Sequence, residues 1–185
     1  MIKFLNLGLQ PLANSYLKKS NLSQKEKKFK LEVAFNEKNY LVSIVNTVPK
    51  EKMFNDMYPY KSSESKTMRK SFKDLTKKIK KRFKPNFIIE IGSNDGVFLK
   101  NFTKKKIVGV EPCKNLAKLT SNINYTTYSE YWSSKLAKKI TRNKKADLIY
   151  SANTLSHIKN LNEIFRAINY SLSEEGILIL EDPSL

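Results

Sequence analysis

The stretch Phe87–Phe102, FIIEIGSNDGVFLKNF, decides the fold. Three apolar residues (Phe87, Ile88, Ile89) run into Glu90-Ile91-Gly92, then Ser-Asn-Asp, then Gly96, then a new apolar run at helical spacing. That order reads as a buried strand, a tight glycine-bearing turn and the first turn of a helix. Gly92 admits backbone angles closed to other residues, and Gly96 leaves no side chain where a ligand must come close. In open α/β sheets, nucleotides bind at such turns, outside the carboxyl ends of the strands. Ile107–Glu111 (IVGVE) is a second short apolar strand, and its closing acid lies 21 residues after Glu90. An acid at that distance is suited to accepting hydrogen bonds from ribose hydroxyls.

Downstream of this pair, strand and helix patterns alternate. A helix is expected from about Pro112 to Thr120, a strand over Ile123–Thr127 and a helix over Trp132–Ile140. Ala146–Tyr150 reads as a strand, Asn160–Leu172 as an amphipathic helix and Gly176–Leu180 as the last strand, left with an open edge. Short, fully apolar strands between helices mean a parallel sheet covered on both faces, and right-handed crossovers make it doubly wound. Upstream, Glu64–Phe83 places Met68, Phe72, Leu75, Ile79 and Phe83 on one stripe opposite its lysines, a helix packed on the sheet.

The N-terminal part has another character. Residues 1–26 show no clear periodicity. Phe29, Leu31, Val33 and Phe35 alternate in Lys27–Phe35, and Asn36–Asn39 reads as a hairpin loop with Tyr40–Val45 as the return strand. Met53–Ser63 (MFNDMYPYKSS) follows, crowded with aromatics and hydroxyls. A tyrosine offers a flat apolar face and one polar tip, so Tyr58 or Tyr60 would suit a place over a binding cleft. The domains expected are 1–63, a small subdomain with the tyrosine loop, and 64–185, the α/β domain.

Composition bounds the function. With 185 residues, 40% hydrophobic content, 10 Phe and 9 Tyr, the chain supports a packed globule. No apolar run reaches the ~20 residues of a membrane span, and the N-terminal residues do not form a signal peptide. One cysteine, Cys113, excludes an internal disulfide, and a cytoplasmic location is the default expectation. The net charge of +18 comes from 31 Lys and only 4 Arg. Phosphate and base recognition favours the Arg fork, so the charge reads as solvated surface that steers anionic small substrates, and nucleic acid is not the expected partner.

Four stretches then carry a family resemblance: LNLGLQPLANSYL (Leu5–Leu17), VPKEKMFNDMYPYKSS (Val48–Ser63), IEIGSNDGVFL (Ile89–Leu99) and YSANTLSHIKNL (Tyr150–Leu161), with GILILEDPSL at the end. Together they resemble class I S-adenosylmethionine-dependent methyltransferases, and more narrowly the nucleotide-deoxysugar C-methyltransferases with a zinc-binding N-terminal domain. The resemblance implies a Rossmann-like sheet with five of seven strands present. It implies S-adenosylmethionine as cofactor, with Glu90, Gly92, Asn94, Asp95 and Gly96 at its methionine end, Glu111 on the ribose, and Ser151, Ala152 and Asn153 on its other side. It implies methylation of carbon beside the ketone of a nucleotide-linked 4-keto-deoxysugar, with His157 at the substrate or enolate and Tyr58 and Tyr60 facing the same space.

Two departures shape these expectations. With one Cys and one His far apart, no structural zinc site is expected, and Asn36 and Asn39 stand at a C-x-x-C-like spacing. The family's Tyr-x-Glu-His segment lies downstream of the EDPSL-like stretch. The expectation is therefore a truncated or split enzyme that keeps the cofactor site but lacks the family base; the alternatives are a non-catalytic binding module or split-enzyme half completed by a partner chain, and a charge-driven nucleic-acid-associated protein.

Overall fold

The structure is a computed structural model that describes residues 1–103, 105–120 and 125–182. It divides into two units, Met1–Pro59 and Tyr60–Leu185.

The second unit is built on a five-stranded parallel sheet. Its strands are β4 (Phe87–Ile91), β5 (Lys106–Val110), β6 (Thr126–Tyr128), β7 (Ala146–Ala152) and β8 (Leu172–Glu181), in the spatial order β6-β5-β4-β7-β8. All four pairings are parallel. The order reverses at β4: the chain builds outward to β5 and β6, then crosses to β7 on the other side. The carboxyl ends of β4 and β7 therefore flank the switch point, where such sheets open a crevice.

Alternation along β4 explains how both faces are covered. Phe87, Ile89 and Ile91 point into a core made with helices α4 (Ser134–Ile140) and α5 (Leu161–Ser171), through Leu136, Ile140, Ile164 and Ile168. Ile88 points into the opposite core with Phe72 and Ile79 of α2 (Lys66–Arg82) and with Phe98, Leu99, Leu148 and Tyr150. Phe98 stacks on Tyr150 at 4.0 Å between ring centroids. The expected stripe on α2 is confirmed, although Phe83 at its end is exposed. Ser65 starts that helix by accepting from the Met68 amide at 3.2 Å. A shorter helix, α3 (Lys114–Thr120), precedes β6, and residues 121–124, on which part of the expected Ile123–Thr127 strand falls, lie outside the described ones.

One expected element is absent from its place. After Gly96 the chain makes only turns and a 3-10 turn at Leu99–Asn101, not an α-helix. The Asn101 side-chain amide donates to Val97 O at 2.9 Å and to Phe98 O at 3.1 Å. Those are carbonyls that further helical N–H groups would have taken, so the helix stops as it starts.

The first unit is a three-stranded antiparallel sheet of β1 (Ile2–Pro11), β2 (Lys28–Asn36) and β3 (Leu41–Ile44), in that order, followed by a one-turn helix α1 (Lys50–Met53). The expected hairpin is β2–β3. The added strand β1 corrects the aperiodic reading of residues 1–26. Its pairing with β2 slips between Lys3 and Leu5 and again between Asn6 and Leu9, which breaks the alternation a sequence reading relies on. Only Glu32 and Ala34 are buried in this unit, on the β2 face opposite Phe29, Leu31, Val33 and Phe35, which are half-buried.

Candidate functional site

The bend Gly92–Gly96 joins the end of β4 to the Leu99–Asn101 turn. The amides of Gly92 and Ser93 both donate to Val110 O, at 2.8 and 3.1 Å, which ties the bend to the end of β5. Gly92 and Gly96 both have φ +75°, and Asn94 adopts φ 49°, so three residues of the bend are left-handed. Glycine and asparagine tolerate that conformation best, which is why the turn is written with them.

Glu111 directly follows β5 and reaches the bend. Its Oε2 accepts from the Asn94 amide at 2.8 Å and its Oε1 from the Cys113 amide at 2.9 Å. Burial pushes this carboxyl above its ordinary range, against the pull of those two amide bonds. Glu90, on β4, is more exposed to that effect. Burial first, then the neighbouring Glu111 and Asp95 carboxylates, raise it well above the glutamate range. Its Oε2 and Asp95 Oδ1 are buried without a hydrogen-bond partner, as are Ser93 Oγ and Tyr125 Oη. Burial also raises the Tyr125 hydroxyl, helped by Glu90 and Asp95. Three carboxyls and a phenol thus converge at the ends of β4 and β5 with unmet polar atoms among them. Unpaired buried polar atoms cost about 1–3 kcal/mol each, so such a cluster in a folded protein calls for an explanation beyond packing.

The other residues expected at the site have different neighbours. Asn94 is committed to the chain before α2: its Oδ1 accepts from the Ser62 amide at 2.9 Å and its Nδ2 donates to Tyr60 O at 3.2 Å. Asp95 Oδ2 accepts from the Ser63 amide at 3.3 Å. The tyrosine loop therefore meets the bend through main chain at Tyr60–Ser63, a role that reading its rings had missed. Tyr60 itself is 47% exposed. Tyr58 belongs to the first unit. Ser151, buried on β7, donates to Ile91 O at 3.0 Å, a strand-to-strand tie. Asn153 (φ 49°) follows β7, and its amide donates to Glu181 O at 2.6 Å. His157, itself exposed, closes a 3-10 turn, Leu155–His157, just beyond β7, in which Leu155 is buried, and its amide donates to Thr154 O at 3.1 Å.

The glycines do not leave bare backbone. A Cβ on Gly92 would lie 2.2 Å from Thr154 Oγ1, and one on Gly96 would lie 1.8 Å from Tyr125 Oη and 2.9 Å from Thr120 Cγ2. The space that each glycine frees is taken by a hydroxyl-bearing side chain. Thr154 and Tyr125 are the site residues that sequence reasoning missed. Thr154 follows the carboxyl end of β7, whereas Tyr125 precedes the amino end of β6 and reaches the bend only with its long side chain, so sequence position signalled neither contact.

Comparison with known proteins follows the same lines. Residues 65–185 match the methyltransferase-domain family, and residues 1–54 match a family described as "Putative zinc binding domain". Among solved structures, the plantazolicin methyltransferase BpumL in complex with a monoazolic desmethylPZN analogue and SAH is similar at TM-score 0.53, with 18% identity over 64% of this chain and 49% of that one. BamL, a plantazolicin methyltransferase solved with a triazolic analogue and SAH, gives 0.51 with 18% identity over 63% and 47%. An S-adenosylmethionine-dependent methyltransferase from Clostridium acetobutylicum gives 0.50 with 17% identity over 60% and 49%. The chain spans about half the length of these structures, and at such identities the likeness is one of fold: the Rossmann-like sheet of class I methyltransferases. No curated protein matches the chain. Residues 1–54 contain neither Cys nor His, the chain's only ones being Cys113 and His157, and no group of described residues has the make-up of a metal site. The residues present do not fit a zinc ion. Over residues 65–185, the chain belongs to the methyltransferase-domain family.

Proposed function

We propose that this chain is an S-adenosylmethionine-dependent methyltransferase module with its cofactor at the carboxyl ends of β4, β5 and β7. The observation that carries this reading is the group of buried, unpartnered acceptors, Glu90 Oε2 and Asp95 Oδ1, at the switch point of the sheet. Acceptors sheltered from water and crowded by a third carboxyl suit a ligand that brings positive charge and N–H donors. The cofactor meets that description, and when bound it supplies a methyl group on a cationic sulfur. Glu90 and Asp95 would hold its amino-acid end. Glu111 would reach the ribose by exchanging one of its amide bonds. Thr154 and Tyr125 would turn aside from Gly92 and Gly96 to admit it, and Ser151 and Asn153 would border it from β7.

The narrower reading is C-methylation beside the ketone of a nucleotide-linked 4-keto-deoxysugar. It rests on the motif resemblance and on the turn that presents an exposed His157 at the same edge. His157 would contact the substrate or the enolate oxygen, and Tyr60 would line the acceptor's space. The acceptor carbon must lose a proton to a base as its bond to the methyl carbon forms. The net charge of +18 supports a field that draws in an anionic nucleotide sugar.

Calorimetry with S-adenosylhomocysteine tests the cofactor. Wild type should bind, and Glu111→Ala should weaken binding tenfold or more, since hydrogen bonds to a charged group contribute about 1.5–3 kcal/mol each. A folded protein that takes up no ligand removes the reading. Binding without methyl transfer to a TDP-keto-sugar, alone or with a partner chain, keeps the cofactor and removes the sugar.

A further inference from the structure

The N-terminal unit matches a family described by its metal, yet it has no metal ligands of the required kind. A three-stranded sheet with only Glu32 and Ala34 buried has little apolar core to stabilise it. Something else must tie its strands.

Glu32 is at the centre of β2, and its side chain is 8% exposed. Its Oε2 faces Lys3 Nζ of β1 at 3.5 Å and accepts from Asn46 Nδ2, in the segment after β3, at 3.1 Å. Its Oε1 pairs with Lys30 Nζ at 3.1 Å, and its main-chain carbonyl accepts from the Val45 amide at 2.9 Å. One residue thus joins all three passes of the chain, across sequence separations of 29 and 14 residues. Topologically, that is the task of a structural metal. The two lysines hold the carboxyl below its ordinary range, Lys30 most strongly, so it is charged at neutral pH.

The turn after β2 repeats the pattern. Asn36 and Asn39 stand at the spacing where a metal knuckle would carry two cysteines. Their side-chain oxygens accept from the amides of Lys38 at 3.0 Å and Leu41 at 3.2 Å. These Asx turns satisfy local N–H groups without an ion. At the end of the first β1 segment, Asn6 Oδ1 accepts from the Gly8 amide at 2.9 Å in the same way. Charge points in the same direction: residues 1–59 carry 10 Lys against 5 acidic side chains, an environment that repels a divalent cation.

We infer that the N-terminal unit folds without metal, its strands cross-tied by the Glu32 carboxylate and its turns closed by asparagine side chains. Two measurements on the full chain test this. The first is metal content after incubation with zinc chloride and desalting. The second is hydrogen exchange of peptides covering Ile2–Pro11 and Lys28–Asn36, with and without EDTA, in wild type and Glu32→Gln. The expected results are far less than one zinc per chain, no effect of EDTA, and exchange in Ile2–Pro11 accelerated roughly three- to tenfold by Glu32→Gln. Stoichiometric zinc with chelator-sensitive protection would overturn the inference, as would unchanged exchange in Glu32→Gln. If Glu32→Gln does not fold, Lys3→Met decides. It leaves the carboxylate its Lys30 and Asn46 partners, so exchange should quicken in β1 and hold steady in β2, and no change in β1 would equally overturn the inference.

Discussion

Glu32 and Glu90 are both buried glutamates on central strands, at 6% and 4% exposure, and they have opposite surroundings. Glu32 has two lysines and an amide around its carboxylate, and its pKa is held down. Glu90 has two other carboxyls near it and an oxygen with no partner, and its pKa is held up. The first arrangement is complete and explains itself as architecture. The second leaves buried acceptors unpaired at the switch point of a parallel sheet, and that is the observation on which the proposed cofactor site rests. Burial alone would not have separated the two; the inventory of partners does.

The largest effect that would sharpen this contrast comes from the apolar core that only the second unit has. Phe98→Ala removes a fully buried ring stacked on Tyr150 and should cost about 3–5 kcal/mol, read as a fall in urea midpoint and faster exchange in Phe87–Ile91. In the first unit no large side chain is buried, so no truncation there should approach that figure.

Next in size is a pair of glycine substitutions. Gly8 and Gly96 both have positive φ, but a Cβ on Gly8 would meet nothing within 4 Å, whereas one on Gly96 would collide with Tyr125. Gly8→Ala should cost only the left-handed strain, about 1–2 kcal/mol. Gly96→Ala should cost more, and the double variant Gly96→Ala/Tyr125→Phe should recover part of the excess. Equal melting shifts for the two single variants would mean that Tyr125 does not rest on the bend.

The smallest effect is the most diagnostic, because the two glutamates should give pH dependences of opposite sign. Glu90, raised in the fold, is stable while neutral and loses its contribution as pH climbs from the ordinary glutamate range through its raised value. Glu32, lowered in the fold, contributes above the ordinary range and loses that contribution as pH falls through its lowered value. Thermal melts across pH should therefore show wild type losing ground to Glu90→Gln on the alkaline side of the glutamate range. They should show wild type losing its advantage over Glu32→Gln on the acid side. Parallel profiles would erase the distinction between the two carboxyls.

How much of this was legible in the sequence varies with the range of the forces involved. The β4 strand announced itself as an apolar run because both of its faces are buried, and the α2 stripe because burial of one helix face imposes a period of 3.6. β1 did not, because its register slips interrupt the alternation. The helix expected after Gly96 failed for a local reason that a pattern count overlooks: one asparagine side chain takes its carbonyls. Glu90 and Glu111 were legible as acids at strand ends. That Thr154 and Tyr125 cover the two glycines was not, since that depends on which side chains tertiary packing brings to the bend. The tyrosine loop was recognised for its rings, while its contact with the bend runs through main-chain groups that no residue type advertises.

That last contact reaches further than its size suggests. Asn94 owes its side-chain bonds to residues 32 and 34 positions upstream, so the shape of the bend is dictated by a short link at Tyr60–Ser63. A single proteolytic nick in that link would leave the sheet standing and its core dry, yet would release Asn94 and the Glu111 amide bond it anchors. The protein would then keep its melting temperature while the bend lost its shape, a change that a stability assay alone would never reveal.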